Sequence, residues 1–323
     1  MSTALTRAPS GSLIASRRSV FDGDRLFRGL ARASAVLLLL IAGVFLVALY
    51  IPARPALEHF GLGFVVSRDW DPVTSHFGGL PFLFGTVLTS LIAMLIAIPI
   101  GLAAALVLSE PTRWKSLRAV LSFGVELLAG IPSVVVGLWA LFILVPLMRD
   151  TVEPFLGKAL GFLPFFRGTI TGFGFLTAGL VLAIMVLPIL IAISRDVIAA
   201  VPGHLREASL ALGATRAETA WQVLLPYART GITGAVLLAL GRAIGETIAV
   251  TMVIGNRPAI TASLFAAGYT MPSVLANEFT EAVGALYQGA LFEIGLLLVL
   301  VTIAVNVLAR LLVFSFRGSG ERL

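Results

Sequence analysis

Arg242 stands inside the apolar stretch GITGAVLLALGRAIGETIAVTMVI, and Glu246 follows four residues on. A bilayer span needs roughly 20 apolar residues rising about 1.5 Å each, so a guanidinium about 16 Å in from Gly231 has no easy reach to water. A charge at that depth costs about 2.5 to 3.5 kcal/mol on insertion scales, and such side chains face a protein interior or a watery path. One chemistry that fits is anion passage: a guanidinium offers planar, paired donors and a charge that does not titrate away. Glu246 would then neutralise Arg242 at rest, so that the anion is not held too tightly. The other reading is an ion pair on one helix face that locks packing and moves nothing. Glu126 and Glu293 are further acids inside apolar stretches, each roughly two turns from a membrane end. Glu126 divides evenly between contact with a path and structural hydrogen bonding, whereas Glu293 reads as structural.

The elements that must position these groups are membrane helices. With 58% hydrophobic residues, 12% charged and a mean hydropathy of +1.01, the chain is no ordinary soluble domain. Six stretches are long enough to span: about 33–51, 82–109, 119–147, 173–193, 231–254 and 286–310. Residues 1–32, 110–118, 194–230 and the tail from Arg310 hold sixteen Lys and Arg, against six in the other loops, which predicts both termini on the cytoplasmic side. The net charge of +6 follows from this topology and does not point to nucleic acid. The chain divides into an N-terminal extension (1–32), a six-span domain (33–310) and a short tail (311–323). Cysteine is absent, which excludes disulfides and thiolate metal sites, and the three histidines are scattered, so neither a metal nor a cofactor is expected.

Prolines sit well inside three stretches, at Pro99, Pro132 and Pro188, and each permits a kink where neighbouring helices satisfy the freed carbonyl. Pro132 is the more suggestive, with Gly130 and Ser133 beside it and Glu126 less than two turns earlier. Gly241 and Gly245 make a G-x-x-x-G step beside the Arg242–Glu246 pair, where a partner helix would approach closely. Outer loop 52–81 carries Trp70 as an interfacial anchor, and outer loop 148–172 holds four phenylalanines around Pro164 in a segment expected to lie on or re-enter the surface. In the last outer loop, Asn277 and Glu278 are open to solvent or to a docking protein.

The loop SRDVIAAVPGHLREASLALGATRAETAWQVLLPYART has helical grammar of its own. Pro202 starts a helix that runs to about Leu212, Gly213 breaks it, and Thr215 with Glu218 makes a capping box for a second helix ending before Pro226. Within it, EASLALGATRAETAWQVLLP resembles the E-A-A segment of ABC importer permeases, at Glu207, Ala208, Ser209, Gly213, Val223, Leu225 and Pro226; Ser209 and Val223 depart mildly from the consensus. ELLAGIPSVVVGLWALFILVPL, LGRAIGETIAVTMVIGN and LANEFTEA narrow the likeness to the C-type permeases of Pst phosphate-uptake systems, over nearly the whole chain from about residue 25.

That resemblance implies an all-α membrane protein with the six-span, N-in/C-in, MetI-like fold of type I ABC importers, placed as a multi-pass protein of the bacterial inner membrane. It implies a heterodimer with an A-type permease subunit, two copies of an ATP-binding subunit and an extracytoplasmic phosphate-binding protein. Segment 202–226 becomes the coupling helix that seats in the ATPase, and Arg242 and Glu246 match the family's arginine and glutamate implicated in phosphate passage. Phosphate keeps a proton at neutral pH where sulfate keeps none, so the Glu246 carboxylate would accept from the former and repel the latter. No Walker A, HExxH or GxSxG sequence occurs, so ATP hydrolysis is left to another subunit and an enzyme is not indicated. Two competitors remain: a permease for another oxyanion or phosphonate, and a proton-coupled secondary anion transporter, which would have no need of the capped helix-turn-helix.

Overall fold

The structure, a computed structural model, describes residues 20–109 and 115–317. Most of the N-terminal extension, the start of the 110–118 loop and the end of the tail lie outside the described residues. Six of the described helices are long and apolar enough to cross a membrane. Helix α1 spans Val20–Phe60, and its part up to Ile51 forms a unit of its own in which Leu37, Leu40 and Phe45 are exposed.

In the second unit, the end of α1 runs on through Pro52 and Pro55 where a loop was expected. Tertiary packing overrides the prolines there: Ala53 and Ala56 are fully buried, and Gly289 comes so close that an added Cβ would lie 3.2 Å from the Ala56 nitrogen. A short helix α2 (Gly63–Val66) follows. The centre of the bundle is α3 (Leu80–Ser109) and α8 (Phe175–Ala199), each helical straight through its internal proline, Pro99 or Pro188. Leu182, Val186 and Leu190 of α8 are buried against this core.

The third apolar stretch does not form the single helix expected over 119–147. Helix α4 (Lys115–Ala129) is separate and amphipathic, the chain extends at Pro132 (φ −59°, ψ 140°), and a new helix begins at Ser133. It runs to Leu160 as α5 (Ser133–Trp139), a π turn, α6 (Val145–Leu147), a second π turn and α7 (Glu153–Leu160). The membrane-length helix is therefore Ser133–Leu160, and residues 148–160 of the expected 148–172 loop belong to it. A 3₁₀ turn at Pro164–Phe166 is the only helical piece described between Gly161 and Gly174.

Next come α9 (Gly203–Ala211), α10 (Arg216–Thr219), a π turn at Ala220–Leu224 and α11 (Leu225–Gly245), so the helix does not stop before Pro226. One device explains this and the long third span. Ahead of Pro146, Pro154 and Pro226 the preceding N–H reaches back five residues instead of four: Val145 to Ala140, Glu153 to Met148 and Leu225 to Ala220. A widened turn just before the ring lets a residue that lacks an N–H and crowds the carbonyl four back sit in a continuing helix.

The remaining helices are α12 (Ile248–Val253), α13 (Met271–Glu278) and α14 (Ala285–Arg317). Among the described residues the extended pairing is confined to an isolated bridge, Asp71 with His76. There the Thr74 hydroxyl and the Val73 N–H donate to Asp71 and hold its carboxyl below the usual range.

Candidate functional site

Arg242 lies in the last turn of α11, where the helix dipole favours a cation. The fifth stretch is discontinuous at this point. Glu246 leaves helical geometry (φ −71°, ψ 126°), and α12 starts two residues later, so the break falls one turn beyond the arginine. The Glu246 side chain is buried, 8% exposed, and its Oε2 lies 4.0 Å from Nη2 of Arg242. That separation exceeds hydrogen-bond range, so the pair is a coulombic contact and not a closed fork. Arg242 itself is 41% exposed.

Its face of α11 is open among the described residues. Gly234, Leu238, Gly241, Arg242 and Gly245 recur at helical spacing, Leu238 is exposed, and an added Cβ at any of the three glycines would meet nothing described within 4 Å. The same stripe is closed where it begins: an added Cβ at Gly231, eleven residues before Arg242, would fall 2.4 Å from Cγ1 of Val197 on α8.

The interrupted third stretch comes to the same place. A small cavity of about 30 Å³ is lined by Arg242, by Leu128, Ala129 and Ile131 at the α4–α5 break, and by Met185 and Ile189 of α8. Beyond the breaks the resumed helices clasp each other: at Gly137 of α5 an added Cβ would lie 2.7 Å from Sδ of Met252 and 3.0 Å from Cα of Ala249, both in α12. The two interruptions are thus braced together, with the arginine beside them.

Glu126 is not brought to Arg242. It projects from α4, 63% exposed, with Oε1 3.8 Å from Nη1 of Arg195 on α8, and Arg195 also donates from Nε to Asp196 at 3.0 Å. Sequence reasoning counted Arg195 only as a loop charge. The signal was an arginine placed two residues after the 173–193 apolar stretch and followed at once by an acid. Glu293 is buried on α14, with Oε2 unpartnered among the described residues.

The 202–226 segment folds as a helix-turn-helix. Gly213 takes φ +90°, a value open to glycine, and Ala214 N–H closes the turn onto the Ser209 carbonyl. The Thr215–Glu218 capping box forms in both directions, and the Ser209 and Thr219 hydroxyls meet at 2.9 Å, fastening α9 to α10. Glu207, Ala208, Gly213 and Pro226 are exposed, Ser209 and Leu225 are half-buried, and Leu212 and Trp221 project as apolar tips.

At the far end of the bundle, Glu278 is neither free nor solvated: its Oε2 accepts from Trp70 Nε1 (2.8 Å) and from the Tyr287 hydroxyl (2.7 Å). Trp70 is correspondingly an internal strut, packed edge-on to Phe77 and Phe82. Asn277 donates to the Tyr269 hydroxyl, whose pKa burial pushes up.

Six apolar helices, two of them ending at chain breaks beside a half-exposed arginine, and a capped helix-turn-helix at one end define a membrane permease of the ABC importer class. Residues 97–318 match the model of the binding-protein-dependent transport system inner membrane component, and the chain belongs to that family. Its curated relatives include the phosphate transport system permease protein PstC of Mesorhizobium japonicum, 44% identical over 291 residues and covering 89% of each chain. The PstC of Pasteurella multocida is 42% identical over 304 residues, 93% of this chain and 94% of its own. Among solved structures, the inward-facing MetNI methionine ABC transporter superposes with a TM-score of 0.54 at 19% identity, covering 77% of this chain and 99% of that one. A bacterial alginate ABC transporter gives 0.54 at 16% identity, covering 88% and 96%. At that identity the likeness is one of fold, and it is the MetI-like permease fold.

Proposed function

We propose that this chain is the PstC-type subunit of an ATP-driven inorganic phosphate importer in the bacterial inner membrane. The observation that carries the reading is Arg242 at the break of α11, half-exposed on a face of small residues and loosely paired with a buried carboxylate. An anion in a low-dielectric path needs a cation that is available, and 4.0 Å from Glu246 the guanidinium keeps donors to offer. Relatives named as PstC phosphate permeases at 44% and 42% identity support the cargo.

The remaining parts follow on the same reading. Both termini and the 202–226 segment face the cytoplasm, where Glu207, Ala208, Ser209, Gly213, Leu225 and Pro226 present the coupling helix to an ATPase present in two copies. An A-type permease subunit covers the open Gly234–Gly241–Gly245 face, closing the path around Arg242. A phosphate-binding protein docks at the opposite end. The 1–32 extension and the tail flank a permease domain at 33–310. The Glu246 carboxylate accepts a hydrogen bond from the hydroxyl that protonated phosphate keeps and sulfate lacks.

The test is ATP-dependent uptake of labelled phosphate into vesicles holding the permease pair, ATPase and binding protein, with Arg242→Gln beside the parent. Uptake abolished while the complex assembles and hydrolyses ATP is the expected result; undiminished uptake makes the buried pair structural. Competition by other oxyanions and phosphonates in the same vesicles identifies the cargo, and uptake driven by a proton gradient without ATP would favour a secondary transporter. Glu246→Gln is expected to raise sulfate uptake, and sulfate transport as poor as the parent's would remove the selectivity role.

A further inference from the structure

Arg195, like Arg242, faces a carboxylate across a gap, and it does so between α4 and α8, the helices that line the cavity beside Arg242. Its side chain is 20% exposed, near the C-terminal end of α8. Asp196 fixes the guanidinium through Nε at 3.0 Å. The Nη1 edge faces Glu126 of α4 at 3.8 Å, again beyond hydrogen-bond range. The cavity beside Arg242 is lined by Ile189 of α8 and by Leu128 of α4. Arg195 lies six residues past Ile189, about 9 Å along the axis, and Glu126 lies two residues before Leu128. An anion leaving Arg242 between α4 and α8 therefore meets this second pair next.

We propose that Arg195 is a second anion-binding residue of the permease, reached after Arg242, and that Glu126 is the latch that occupies it at rest. The proposal rests on the reading of Arg242 as part of an anion path. With Arg195 set between two carboxylates, the resting cluster repels an anion. A phosphate arriving at the Nη edge replaces one carboxylate with another oxyanion and can take the paired donors that Glu126, at 3.8 Å, does not close upon. The latch has somewhere to go. Glu126 is three residues from the end of α4, and the chain is interrupted at Gly130–Pro132, so α4 can pivot while α8 stays held in the core.

The experiment uses the complete complex in vesicles, with inorganic phosphate as the probe and three readouts: ATP-driven uptake, ATP hydrolysis, and leak of preloaded phosphate without ATP. Arg195→Gln should lower uptake by about tenfold or more with hydrolysis retained. Glu126→Gln should keep uptake within about fivefold of the parent, because Glu126 is itself 63% exposed, and raise the ATP-independent leak. The double variant Arg195→Gln/Glu126→Gln leaves only the exposed Asp196 charged in the cluster and should behave like Arg195→Gln. A purely structural pair predicts the reverse, with both single variants impaired and the double restored. Parental uptake in an assembled double variant, or a Glu126→Gln leak no greater than the parent's, overturns the proposal. If the parent complex takes up no phosphate, the cargo assignment has failed, and the same variants are then read with the anion the complex does carry.

Discussion

Gly137→Ala tests whether the two interrupted helices are braced as the geometry requires. The new methyl carbon would sit 2.7 Å from Sδ of Met252 and 3.0 Å from Cα of Ala249. Unstrained carbon contacts fall near 3.5 to 4.0 Å, so something must retreat by roughly 0.5 to 1 Å. Met252 can turn a flexible side chain aside, but the Ala249 contact is backbone, so α12 itself must move. Overpacking of this kind costs about 1 to 3 kcal/mol, while Ala in place of Gly inside a helix returns about 0.5 to 1 kcal/mol, leaving a net loss on the order of 1 kcal/mol. Because α12 resumes directly after the break at Glu246, the displacement is transmitted to the carboxylate facing Arg242, and phosphate uptake should fall together with stability. The assay is the thermal midpoint of the assembled complex followed by intrinsic fluorescence, with uptake measured in parallel. Gly124→Ala on α4, where nothing described lies within 4 Å of an added Cβ, is the control and should be neutral or stabilising. A Gly137→Ala complex as stable as the Gly124→Ala one would refute the brace.

Glu278→Ala removes the acceptor shared by Trp70 and Tyr287 and should cost about 1.5 to 3 kcal/mol, with a shift in tryptophan emission; Glu278→Gln should recover most of it, and an unchanged spectrum would count against the contact. Thr215→Ala should cost about 1 kcal/mol and speed hydrogen exchange at the Glu218 amide. Adding Glu218→Ala should cost less than it does alone, since each side chain caps the other's backbone.

What the sequence made legible depended on whether a residue contradicted its surroundings. The stretches 82–109, 173–193 and 286–310 emerge as α3, α8 and α14 within a few residues at most starts, because an unbroken apolar run leaves a helix as the one way to satisfy the backbone in lipid. Arg242 was visible for the same reason, a charge with no business in such a run. The break at Glu246 was not, since Gly-Glu-Thr-Ile contains nothing that forbids a helix, and the turn goes with the packing of α12 on α5 and the central core. Prolines were read unevenly: Pro132 interrupts its helix outright, and Pro226, expected to follow a helix end, is absorbed by a π turn of the kind that also precedes Pro146 and Pro154 and that no local propensity announces. Arg195 was missed because a cation at the end of a span is ordinary. Its interest comes from Glu126, 69 residues away in the chain and opposite it only in the fold.

The looseness of the two arginine pairs bears on how a path of this kind can turn over. A guanidinium and a carboxylate closed at bidentate hydrogen-bond distance in a dry interior attract each other strongly, and an incoming anion would have to break that contact before gaining its own. An arginine with no carboxylate near would present the opposite difficulty, a buried cation that is costly to maintain and that holds an anion too long. Separations of 4.0 and 3.8 Å lie between these limits. The counterion is close enough to keep the charge compensated and far enough that the donors are not consumed. Each carboxylate also sits next to a helix interruption: Glu246 is the break residue of the fifth span, and Glu126 is three residues before the end of α4. Movement at either break therefore changes the carboxylate's distance from its arginine while α8 and α11 remain packed on the core. On the proposed reading, anion affinity would in this way be tied to the backbone geometry that an attached ATPase would move.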